Sequence, residues 1–131
     1  MKKRNGFTLI ELLAVIVVLA IILVIAVPKV LETIDNARLG AIQSSAKLIA
    51  SQAETQYLVN QTTGKANPGT ITCAELVSVT SDFNLGSGTT GCTIEISSAG
   101  VATVKNLTGA NKFAGYSCSS ATKDAATCIK S

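Results

Sequence analysis

Apolar and polar residues are distributed unevenly along this chain, and the pattern changes twice. From Phe7 to Val27 the run FTLIELLAVIVVLAIILVIAV is almost wholly apolar, and its only charge is Glu11. As a helix at ~1.5 Å per residue that run is roughly 31 Å long, which matches the hydrocarbon core of a bilayer. A single span must satisfy its backbone groups internally, so a helix is the form expected in lipid. After Pro28 the pattern becomes amphipathic. Val30, Ile34, Ala37, Ala41, Ser45, Ile49, Ala53 and Tyr57 recur at spacings of three or four, with Lys29, Glu32, Asp35, Arg38, Lys47 and Glu54 between them. The cluster NQTTGKANP from Asn60 to Pro68 predicts a loop. The spacing therefore predicts one helix from Phe7 to about Val59, roughly 80 Å long. Pro28 removes one hydrogen bond from it and crowds the carbonyl of Val24, so a kink is expected there.

Beyond the loop the period shifts toward two. TIEIS (93–97) alternates apolar and polar residues, VATVK (101–105) does so in part, and Ser98-Ala99-Gly100 between them suits a hairpin turn. A third strand is expected around Lys112–Cys118. The predicted fold is α+β: a long N-terminal helix, first a transmembrane half and then an amphipathic half over about 29–59, packed against a small antiparallel sheet.

Length and charge refine this picture. The 131 residues suit one domain plus an attached segment. The net charge of +3 comes from Lys2, Lys3 and Arg4, and from Phe7 onward basic and acidic side chains balance. A general nucleic-acid binder carries its basic excess on the folded part, and this chain does not. The charge is nevertheless divided locally. Residues 105–131 carry Lys105, Lys112, Lys123 and Lys130 against Asp124, whereas residues 54–104 carry Glu54, Glu75, Asp82 and Glu95 against Lys65. A head polarised in this way would either attract DNA weakly at its basic end or suit contacts between heads. Asp82 and Asp124 stand alone in the sequence and are expected to be solvated acids.

Candidate chemistry is sparse. There is no histidine, no Gly-rich phosphate loop and no nucleophile beside a base, so neither an enzyme nor a cofactor site is expected. Cys73, Cys92, Cys118 and Cys128 lack CxxC spacing, which argues against a metal site. Four cysteines beside a membrane segment suit disulfides in an exported protein, and the sequence alone allows three pairings. The basic cluster before the apolar run should stay in the cytoplasm and send the C-terminal part outward. A cleaved secretory signal would have a shorter apolar region followed by a small-residue site. Here the small residue, Gly6, precedes the run.

That order of basic residues, Gly6 and then Phe7-Thr8-Leu9-Ile10-Glu11 resembles the class III leader of type IV prepilins. The resemblance is close over about residues 1–35 and extends to the rest only in outline. It implies a leader peptide at 1–6, a transmembrane or filament-core segment at 7–28, and a pilin head at 29–131. In such proteins a membrane aspartyl protease cuts after the glycine and methylates the new amine. The cut would fall between Gly6 and Phe7, with Phe7 the N-methylated residue. Glu11 would pair with the N-terminal amine of a neighbouring subunit and set the register of assembly, since a buried charge without a partner is strongly disfavoured. Related pilins carry a glycine upstream of the proline that helps the helix unwind in the filament. Here that place is held by Ala20, a good helix former. The resemblance also favours disulfides 73–92 and 118–128, the latter closing a late C-terminal loop. The implied partners are a prepilin peptidase, identical subunits and minor pilins in a helical filament, and the bacterial inner membrane before assembly. The implied product is an extracellular pilus of the kind used in adhesion and motility. A secretion pseudopilin and a DNA-uptake pilin are the alternatives. Pseudopilins commonly have a calcium site where pilins have the C-terminal disulfide, and Asp124 is the only acid after Glu95.

Overall fold

A computed structural model describes Lys3 and residues 5–76, 82–84 and 91–131. Met1, Lys2 and Arg4 of the leader lie outside the described residues. The chain divides into two compact units, residues 1–36 and 37–131. Helix α1, Leu9–Thr63, contains Pro28 and contributes to both.

In the first unit every Leu, Ile and Val from Leu12 to Val27 is exposed. This is the one helix among the described residues that is long and apolar enough to cross a membrane. Leu, Ile and Val occur on all sides of it, so no face is marked for water.

The C-terminal end of α1 corrects the expected boundary. The helix continues past Val59 to Thr63, through the first residues of the segment that reads as a loop. Thr62 and Thr63 donate their hydroxyls to the Val59 carbonyl at 2.9 and 2.8 Å, which lets polar residues stay in the last turn. The stop comes at Gly64, whose φ of 71° is in the left-handed region that favours glycine. Beyond it the Lys65 N–H donates to the Asn60 carbonyl at 2.9 Å, the six-to-one closure of a Schellman end.

The second unit places the later part of α1 on an antiparallel sheet. Its strands are β1 (Thr70–Thr72), β2 (Phe83–Asn84), β3 (Thr93–Ile96), β4 (Ala102–Gly109), β5 (Tyr116–Ala121) and β6 (Ala126–Lys130). A short helix, α2 (Cys73–Leu76), follows β1. The sheet order is β1-β3-β4-β5-β6, and β2 pairs with the end of β4. The predicted hairpin is present as β3 and β4. Its turn is closed by Ser97 N–H to the Val101 carbonyl at 3.0 Å and by Gly100 N–H to the Ser97 carbonyl at 2.9 Å. Gly100 has a φ of 81°, and a Cβ there would meet the Tyr57 ring at 2.9 Å. Both its backbone and its close approach to the helix therefore require glycine.

Two further expectations are corrected. The third strand does not begin at Lys112: Asn111–Phe113 is a 3₁₀ turn, and the strand starts at Tyr116. The buried stripe of α1 agrees with the predicted one at Ile49 and Ala53 and departs from it toward the N-terminus. Val30, Ile34, Ala37 and Ala41 are exposed, and the core face consists of Ile42, Ala46, Ile49, Ala50 and Ala53. Because Ala41 and Ile42 are adjacent, periodicity admits either as the inward position, and the larger side chain is the one buried. Three alanines on this face allow close packing against Ile94, Val104, Leu107 and Ala121 of the sheet.

Asn106 explains why β4 does not alternate throughout. Val104 and Leu107, three positions apart, are both buried. Asn106 between them has a φ of 56°, a conformation asparagine tolerates better than most residues. The partner strand makes the same change of phase, since Val104 pairs with Ala121 and Leu107 with Cys118, and all four are buried.

Candidate processing and assembly site

The residues singled out for processing lie where the chain enters α1. Residues 5–8 are not helical, and the helix starts at Leu9. The Thr8 carbonyl accepts the Leu12 N–H at 3.3 Å, so Thr8 is the N-cap. The Thr8 N–H donates to Glu11 Oε2 at 2.9 Å, and the Glu11 N–H donates to Thr8 Oγ1 at 3.4 Å. This reciprocal pair is a capping box, and it satisfies donors that the first helical turn leaves unpaired. Its sequence signature, Ser/Thr-x-x-Glu, is legible as Thr8-Leu9-Ile10-Glu11, although the spacing argument alone assigned Thr8 no role.

The capping box changes the physical account of Glu11. A carboxylate within a span costs on the order of 2.5–3.5 kcal/mol on insertion scales. One of its oxygens is here bound to a backbone N–H at the very start of the helix. The positive end of the helix dipole also favours an anion in that first turn. Phe7 and Gly6 precede the cap outside the helix. Phe7 is 85% exposed, and nothing lies within 4 Å of where a Cβ on Gly6 would stand.

In the second unit the cysteines form two disulfides, Cys73–Cys92 and Cys118–Cys128. The first ties the start of α2 to the chain entering β3, beside a hydrogen bond from Cys73 N–H to the Cys92 carbonyl at 3.0 Å. The second joins directly opposed residues of β5 and β6, so the late loop expected between them is a hairpin. A bulge in β5 between Cys118 and Ser120 lies beside this bridge.

The fold also brings together the two segments of opposite charge. Lys105 pairs with Glu95 at 2.6 Å, Lys112 with Asp82 at 2.7 Å, and Lys123 with Glu54 at 3.2 Å. Asp82 is thus not the isolated solvated acid that its sequence surroundings suggest. Three of the lysines in 105–131 are each matched by an acid from 54–104, and the separated patches read from the sequence do not stand apart.

Glu54 also fastens helix to sheet, a role the sequence did not reveal. Its side chain is 14% exposed, and its Oε1 accepts the Ala102 N–H at 3.3 Å while Oε2 takes Lys123. The Lys123 ammonium is held above the ordinary lysine value by this hydrogen bond, then by the charges of Glu54 and Asp124. Glu75 is held below the ordinary carboxylate value by the Thr72 N–H and then the Thr72 hydroxyl, both of which donate to its Oε2. Replacing Glu54 with Ala leaves the Ala102 N–H without its partner and is expected to cost about 1–2 kcal/mol. Lys123→Ala, which removes a half-exposed cation, is expected to cost under about 1 kcal/mol. Urea unfolding followed by tyrosine fluorescence measures both, since Tyr57 and Tyr116 both lie in this unit.

Residues 1–27 match the family model described as the prokaryotic N-terminal methylation motif. The chain begins with a class III leader of the type IV pilin kind. Such a leader marks a type IV pilin-like prepilin, and Gly6, Phe7, Thr8 and Glu11 all lie within the match. The match covers about a fifth of the chain and none of the second unit. Comparisons with curated proteins and with solved structures found no match.

Proposed function

We propose that this chain is a structural subunit of an extracellular type IV pilus. Before assembly it is held in the bacterial cytoplasmic membrane by the apolar part of α1, with its C-terminal part outside. A prepilin peptidase hydrolyses the Gly6–Phe7 bond and methylates the Phe7 amine, and Glu11 then pairs with the amine of a neighbouring subunit. The observation that carries this reading is the methylation motif ending in an apolar helix whose side chains are exposed on every side. A surface of that kind suits lipid before assembly and other copies of the same helix afterwards. Identical subunits and minor pilins are the partners in the filament.

The stapled hairpin of β5 and β6, with Asp124 the only acid after Glu95, supports a pilus subunit over a secretion pseudopilin with a C-terminal calcium site. Lys105, Lys112 and Lys123 are each paired with an acid, which supports a structural subunit over a DNA-uptake pilin.

Mass spectrometry of exported protein is expected to find N-methylated Phe7 as the first residue, and Gly6→Leu to leave an uncut precursor in the membrane. Glycine suits a scissile position because it has no Cβ to obstruct an extended backbone in a cleft. Electron microscopy with an antibody against this chain should label surface filaments. An intact Met1 terminus in assembled material would sink the proposal.

A further inference from the structure

We propose that Thr8 sets where the precursor helix starts and thereby keeps the Gly6–Phe7 bond outside the helix, where a peptidase can act on it. The proposal rests on the leader reading above and names a positioning residue for that reaction.

Hydrolysis adds water to the Gly6 carbonyl carbon and breaks the carbon–nitrogen bond, leaving a carboxylate on Gly6 and the amine on Phe7. Both groups must be free for this. If the helix grew one turn toward the leader, its i to i−4 bonds would engage the Gly6 carbonyl with the Ile10 N–H. The scissile carbonyl would then be withdrawn into the helix. The sixteen residues from Leu12 to Val27 favour such growth, being uncharged, continuous and free of glycine and proline.

The capping box opposes it. Thr8 as N-cap has a non-helical backbone, its carbonyl takes the first intrahelical bond, and its side chain is engaged with the Glu11 N–H. Its own N–H is held by Glu11 Oε2. Extending the helix through Phe7 requires Thr8 to become helical and both side-chain bonds to break. The scissile bond lies immediately outside this boundary, between the two residues that precede the cap.

The test uses the full-length precursor in vesicles with a prepilin peptidase, following leader loss by intact mass. Thr8→Ala removes the cap and is expected to slow cleavage about 2- to 30-fold, the range a lost N-cap produces in helix equilibria. Thr8→Ser and Thr8→Asn keep a capping oxygen and are expected to be cleaved within about twofold of wild type. Amide hydrogen exchange of the Thr8→Ala precursor should show new protection at Ile10, whose N–H would bond the Gly6 carbonyl. Equal cleavage of Thr8→Ala and wild type would overturn the proposal. So would equal slowing in Ala, Ser and Asn variants, which would mean that the peptidase reads the threonine itself. Slowing without added protection would overturn it as well. If wild type is not cut at all, the leader reading fails; if wild type is cut and Thr8→Ala matches it, only the role of Thr8 fails.

Discussion

Cells producing only a Glu11→Gln variant are expected to contain normally cleaved, membrane-resident subunit and few or no filaments. Insertion depends on the uncharged stretch from Leu12 to Val27, and losing a carboxylate should if anything ease it. Glutamine can still serve the Thr8 cap, so the start of α1 is preserved. What it cannot do is neutralise an amine. In a bundle of apolar helices an unmatched ammonium is buried without a partner, and breaking a buried pair in this way costs about 3–5 kcal/mol. Such a penalty at every subunit outweighs the small differences in van der Waals contact between one axial offset and the next. Glu11→Ala should also fail to assemble, with the added loss of the cap. Mixed expression with wild type should partly rescue the variant, because each mutant subunit still presents its own Phe7 amine to a neighbour. Counting immunolabelled filaments against membrane-bound mature subunit measures the effect. Glu11→Gln filaments as abundant as wild type would leave the carboxylate with no role beyond the cap.

Removing the disulfides should produce the largest losses of stability. Cys73–Cys92 closes a sequence separation of 19 residues and Cys118–Cys128 one of 10, and each is expected to contribute about 3 kcal/mol through the entropy of the unfolded chain. Small domains have about 5–15 kcal/mol in total, so one bridge is a large fraction and both together approach the whole. The double variant Cys118→Ala/Cys128→Ala should lower the urea midpoint of tyrosine fluorescence substantially. Its loss falls on β6, which is bonded to the sheet along one edge only. Cys73→Ala/Cys92→Ala should cost slightly more, because its loop is longer and both sulfurs are fully buried. Non-reducing peptide mapping of the wild type should recover the two bonded pairs and no free thiol. Unchanged midpoints in both double variants would mean that helix–sheet packing alone holds the head together.

The processing site was largely legible in the sequence because its parts are close together in the chain. Gly6, Phe7 and Glu11 stand within six residues, and even the unnoticed cap of Thr8 is a local Thr-x-x-Glu signal. Local patterning likewise disclosed the apolar span, the long helix and the β3–β4 hairpin, each of which has a period or a turn glycine of its own. The disulfide pairs were reached through resemblance, since three pairings fit the spacing equally well.

Tertiary structure decided the rest of the head. Ile42 rather than Ala41 faces the core only because the sheet lies on that side, and the phase change at Asn106 matters only opposite the matching change in β5. β1 and β2 are only three and two residues long, and they are strands because longer neighbours offer them hydrogen-bonding edges. The charge pairs depend on the fold most of all. Glu54 and Lys123 meet across most of the head sequence, as do Asp82 and Lys112 across a shorter gap, so acids and bases that look segregated along the chain neutralise each other in space. Each such contact is worth about 1 kcal/mol or less, too little to direct the fold, and its geometry exists only once backbone pairing and apolar burial have brought the partners together.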